Sequence, residues 1–201
     1  MTPEPNRALD VAALPSFGFG HRSLTWWGLQ GIVAIEATVF ALAIGSYLYL
    51  ATHAARWPPT EELPDPIWGS LNTAILLASA WPNQIARRRA ERYDRRSAQR
   101  WMLVCLAFAV VFIVLRVFEF RSLGCRWDSS AYGSIVWMLL GLHTVHLVTD
   151  TWDTAVLALV CYTRPFETRR FVDISENAVY WYFVVASWLP IYAVIYWLPR
   201  W

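Results

Sequence analysis

Five apolar stretches, at about residues 24–50, 66–86, 101–120, 132–161 and 178–198, constrain this chain of 201 residues more than any other feature. A helix needs roughly 20 apolar residues to cross a hydrocarbon core ~30 Å thick. Helices suit that environment because they satisfy their own backbone hydrogen bonds. The predicted fold class is therefore all-α: an integral membrane bundle of five transmembrane helices. The first and fourth stretches exceed the crossing length and have room to tilt or project. Trp57-Pro58-Pro59, with Pro64 and Pro66, separates the first two helices, and Pro82 is expected to kink or end the second near Trp81. The longest link is about 15 residues, too short for a soluble domain.

Composition supports this. Hydrophobic residues make up 57% and charged residues only 16%, where soluble domains carry about a quarter charged. The 13 Trp, 9 Tyr and 10 Phe suit side chains that gather where a helix meets the headgroups. Residues 1–23 have no continuous apolar core, so they read as a flexible arm and not as a signal peptide, with residues 24–201 forming the five-helix domain. Every basic residue other than histidine is arginine. Seven lie in the 87–100 link, Arg164, Arg169 and Arg170 in the 162–175 link, and Arg7 and Arg22 in the arm. Arg56, Arg121, Arg126 and Arg200 fall on the opposite side. Basic loops stay cytoplasmic, which places the amino terminus inside. Arginines clustered in short links between apolar stretches also speak against nucleic-acid binding.

Ionisable groups inside spans face a partner, the bundle interior or water. The first span carries Glu36. Arg116 and Glu119, three residues apart on the third, can pair on one face. On the fourth, His143, His146, Asp150 and Asp153 follow at offsets of 0, 3, 7 and 10 and share one stripe. Asn72 and Glu176 stand near the starts of the second and fifth. These groups could hold a metal or haem, or could satisfy one another between helices. Against a di-iron site, no Glu-x-x-His pattern occurs; against a bis-histidine haem, His143 and His146 share one helix while His21 and His53 fall at loop-like positions. Cys105 and Cys161 sit in apolar segments, Cys125 lies in a loop, and no cysteine spacing suggests zinc or a disulfide framework. Glu36 has no basic neighbour one turn away, so it is expected to keep its proton unless another helix supplies charge.

Read in order, several segments resemble cytochrome c oxidase subunit III. Trp27-Gly28, with Glu36 and Phe40, resembles the family's helix with an embedded glutamate. Leu71-Asn72-Thr73 with Leu76-Leu77 and Ser79 is similar to its "LNT..LL.S" signature, and Glu119-Phe120 to the Glu-Tyr pair ending its next helix. Tyr132-Gly133-Ser134, then Gly141-Leu142-His143 and His146, resembles "YGS...GxHxxH", and Glu176 with Val179 to Val184 and Trp188 resembles the closing "FE...YWHFVDxxW". Three departures are Tyr182, where the family usually has His, Ala186, where Asp is common, and Arg116, where Gln is usual. The chain also starts at the third helix of the seven-helix form, as short bacterial versions do.

The resemblance implies a non-catalytic accessory subunit of a haem-copper terminal oxidase in a bacterial plasma membrane. Such a subunit packs on catalytic subunit I and supports its stability and proton uptake. It implies no redox cofactor in this chain, haem and copper in partner subunits, and phospholipid as a further ligand. The motif residues it marks are Glu36, Asn72, Arg116, Glu119, His143, His146 and Glu176. Two rival readings are a subunit III homologue serving a nitric oxide reductase or quinol oxidase, and a stand-alone proton-coupled transporter.

Overall fold

The computed structural model describes residues 18–59 and 63–200. Among them are five α-helices and no strand: α1 (Leu24–His53), α2 (Pro66–Glu91), α3 (Arg95–Arg121), α4 (Ala131–Thr163) and α5 (Thr168–Tyr192). A π-helical turn at Ala193–Trp197 and a 3-10 turn at Leu198–Arg200 extend α5. Most of the arm expected over residues 1–23 lies outside the described residues; within it, Gly20–Arg22 forms a short 3-10 turn.

Local chemistry sets the helix starts. Ser23, Asp65, Asp94 and Ser130 each accept a backbone N–H from the first turn of α1, α2, α3 and α4. Such caps satisfy donors a helix start otherwise leaves unmade. Pro66 stands at the first position of α2, where its missing N–H costs nothing. The link between α2 and α3 shrinks to Arg92, Tyr93 and Asp94, so most of the expected 87–100 link is helix. Tyr93 N–H donates to the Ala90 carbonyl and Asp94 N–H to Arg89, both at 2.9 Å, closing a Schellman turn. Its left-handed position, φ 59°, usually falls to glycine. Tyr93 holds it while its ring packs 5.1 Å from Phe171 and 5.7 Å from Phe19.

Helices α1, α3, α4 and α5 with its extension are long and apolar enough to cross a membrane. Helix α2 is long enough but less apolar. It turns Asn72, Ser79 and Asn83 inward, where all three are buried, so polarity that a hydropathy average counts against a span belongs here to the interior. Pro82 does not end the helix, which continues to Glu91. His53, expected at a loop-like position, closes the last turn of α1, and α5 starts ten residues earlier than the apolar stretch suggests.

Helices α2, α3, α4 and α5 pack into one body around Phe112, Leu139, Leu140, Val184 and Trp188. Helix α1 rests mainly on α4 and α5, through Phe40, Ala43 and Tyr47. Its outward face is apolar, with Leu24 88%, Ile35 68% and Leu42 67% exposed.

Candidate functional site

Two polar clusters lie inside the bundle. The first centres on Glu119 in the last turn of α3. Arg116 Nη1 donates to Glu119 Oε2 at 2.8 Å, and the two side chains are 1% and 0% exposed. Asn72 Nδ2 from α2 donates to the same oxygen. Tyr196, in the π turn after α5, donates its hydroxyl to Oε1 at 2.6 Å. Three donors, one of them a guanidinium, make this the setting of an ionised carboxylate. The Arg116 guanidinium lies 4.1 Å from the Trp188 ring centre and 4.8 Å from that of Phe112, so its faces meet aromatic π-density.

Arg116 also fixes the state of His143. Its Nη2 lies 3.2 Å from His143 Nδ1, and a guanidinium only donates, so Nδ1 accepts. The remaining ring proton sits on Nε2, which donates to the Val184 carbonyl at 3.0 Å. Around this lattice, Trp188 Nε1 donates to Thr73 Oγ1 at 2.7 Å and Trp181 Nε1 to Ser79 Oγ at 2.9 Å. Gly69 admits the Tyr196 ring, because a Cβ there would stand 2.6 Å from it.

The second cluster lies between α1, α4 and α5. Glu36 Oε2 accepts from the Tyr180 hydroxyl at 2.8 Å. Its Oε1 faces His146 Nε2 at 3.6 Å, ion-pair range but beyond a hydrogen bond. The other ring nitrogen, His146 Nδ1, lies 2.7 Å from the Leu142 carbonyl and therefore donates to it. With that proton placed, Nε2 and Oε1 would face each other as bare lone pairs unless one further proton lies between them. Glu36 thus meets a histidine from another helix, the possibility the isolated sequence left open. Phe40 stands between the clusters, its ring 4.9 Å from His146 and 6.2 Å from His143.

The four residues of the α4 stripe meet different neighbours. His143 turns to α3 and α5, His146 to α1, Asp150 is buried and Asp153 exposed. Glu176 belongs to neither cluster: it accepts from Ser23 at 2.9 Å and Thr25 at 2.7 Å, tying the start of α1 to α5. Sequence reasoning missed Tyr180, Tyr196 and the Val184 carbonyl. In a run as rich in aromatics as 180–197, nothing local says which hydroxyl turns inward.

Among the described residues, no group of three or more His, Cys, Asp or Glu side chains is arranged to hold a metal ion. The class defined here is a bundle of largely apolar helices whose buried polar groups answer one another across helices. Residues 29–200 match the family described as Cytochrome c oxidase subunit III, and the chain belongs to that family. Its relatives include cytochrome c oxidase subunit 3 of Pylaiella littoralis, 29% identical over 70% of this chain and 53% of the relative. That of Thermostichus vulcanus is 22% identical over 90% of each chain. The probable cytochrome c oxidase subunit 3 of Mycobacterium leprae is 27% identical over 81% of this chain and 82% of its own. The chain thus spans about half the length of some relatives, the rabbit protein among them, and most of the length of others. The subunit III family carries no redox centre of its own.

Proposed function

We propose that the chain is a non-catalytic accessory subunit of a haem-copper terminal oxidase in a bacterial plasma membrane. It crosses that membrane five times, α2 included, with its amino terminus on the cytoplasmic side. Haem and copper belong to partner subunits. This chain packs on the catalytic subunit, contributes to its stability and proton uptake, and binds phospholipid along its apolar faces. Residues Glu36, Asn72, Arg116, Glu119, His143, His146 and Glu176 serve as its intramembrane polar framework.

The observation that carries the reading is the family match along nearly the whole helical bundle. The orientation draws on the arginines concentrated where α2 meets α3 and α4 meets α5. The apolar outer face of α1 suits burial against lipid or another subunit. The reading of catalytic subunit and substrate is tested by tagging the chain, extracting it in mild detergent and identifying what stays bound. A haem-copper oxidase catalytic subunit is expected; recovery of the folded chain alone would overturn the accessory role. A nitric oxide reductase or quinol oxidase partner would keep the family and change the complex. Topology is tested with a single reporter cysteine at Trp127, which is 62% exposed between α3 and α4. Labelling from the outer side is expected. The native Cys125 is a poorer reporter, because burial pushes its thiol above the usual range.

A further inference from the structure

Between α1, α4 and α5 lies a cavity of about 730 Å3. Arg170, Asp173 and Glu176, near the start of α5, line it at the arginine-rich end of the bundle, while Asp153, Asp150 and Tyr180 line it deeper in. Asp150 is 3% exposed, and its Oδ2 has no hydrogen-bond partner. The titratable groups facing it are Glu36 from α1, Cys105 from α3, Tyr180 from α5 and Asp153 from its own helix, with Asp173 and Glu176 of α5 on the cavity wall. Among the described residues, the one lining cation, Arg170, donates to Asp173 at 3.0 Å. An ionised Asp150 would therefore be a buried charge among other carboxylates, the costliest arrangement available to it. One turn along α4 stands His146, whose Nε2 lies 3.6 Å from Glu36 Oε1. Asp153 lies one turn the other way, toward the mouth.

We propose that this cavity is a proton inlet from the arginine-rich side, with Asp150 as the relay between cavity water and the Glu36–His146 pair. Asp150, protonated at rest, passes its proton inward to His146 Nε2 or Glu36 Oε1 through one water. It then takes a proton from hydronium at the mouth, which is left as water. Each step moves one proton and no electrons, so no oxidant or reductant is required. The cavity reaches Tyr180, whose hydroxyl donates to Glu36, which makes the pair a proton store filled from one side. The proposal rests on the membrane reading above, but not on which catalytic subunit is bound.

The test uses the full-length chain in lipid nanodiscs. The infrared band of protonated carboxyl groups is followed after a switch from H2O to D2O. The wild type should show a band that Glu36→Gln or Asp150→Asn diminishes, exchanging quickly. In Asp150→Asn the surviving Glu36-dependent part should exchange at least about tenfold more slowly, a modest effect for a positioned proton-transfer group. Asp150→Glu should restore the rate, which a purely structural role would not require. Asp153→Asn, at an exposed position that does not threaten folding, should slow exchange less. Unchanged exchange in both Asp150→Asn and Asp153→Asn, or a band indifferent to Glu36→Gln, overturns the inlet. Co-purification of the same variants is scored separately: a bound partner with unchanged exchange sinks the relay alone, whereas loss of the wild-type partner sinks the accessory role.

Discussion

The Glu119 lattice and the Glu36 pair are built from the same residue types, yet their surroundings give them different work. Glu119 is fully enclosed and accepts from α2, α3 and the turn after α5, with a permanently charged guanidinium beside it. Its polar capacity is spent on holding helices together. Glu36 sits on the most loosely packed helix, with one hydrogen bond, one longer contact and a cavity alongside. A carboxylate locked by donors on every side has nothing to exchange, whereas one that meets a half-occupied imidazole beside a cavity does. The lesson is that the number of partners, more than burial alone, separates a structural carboxylate from one able to trade a proton.

The comparison can be broken hardest at Glu119. Glu119→Ala leaves Arg116 buried and unpaired, which typically costs about 3–5 kcal/mol. Thermal unfolding in detergent should register this as loss of most of the folded fraction. Next comes Gly69→Ala, which pushes on the Tyr196 ring and withdraws its hydroxyl from Glu119; overpacking of this kind costs about 1–3 kcal/mol. Across the divide, Tyr180→Phe removes one hydrogen bond from Glu36 and should cost about 0.5–1.5 kcal/mol in the same assay. Glu36→Gln keeps the shape and should stay within about 0.5 kcal/mol. If it destabilised the bundle as much as Glu119→Ala, the two regions would not differ in kind.

The smallest effect concerns pH at the α2–α3 turn, outside both clusters. Hydrogen bonds from the Ser97 hydroxyl and backbone N–H hold the Asp94 carboxyl below the usual carboxylate range. A lowered value means the folded state favours the ionised form, so the contribution is complete above the ordinary aspartate range and is lost as pH falls through the lowered value. Amide exchange at Ser97 should accelerate at acid pH in the wild type, and Asp94→Asn should remove that dependence.

How much of this was legible beforehand varied with the kind of signal. Apolar stretches located all five helices because length and hydropathy are local properties. Their ends were misplaced at Arg87–Glu91 and Thr168–Asn177, where charged residues continue a helix beyond its apolar part. The three-residue spacing of Arg116 and Glu119 already placed them on one face, and the structure sets them 2.8 Å apart. The offsets on α4 did less well. Residues at i and i+3 differ by about 60° around a helix, enough for His143 and His146 to enter different grooves. Partners contributed by other helices, such as Tyr196, Tyr180 and the Val184 carbonyl, have no local signature at all.

The Arg116–Glu119 pair has a consequence for how the chain is made. During synthesis α3 enters the bilayer before α4 and α5 exist, so Tyr196, His143 and Trp188 cannot yet help it. An arginine at the centre of an isolated helix adds about 2.5–3.5 kcal/mol to the cost of insertion, and one nearer the end, as Arg116 is, adds less. With its counter-ion three residues away on the same helix, α3 brings its own neutralising partner to the translocon. The later helices then inherit a pair already formed, and need only close around it.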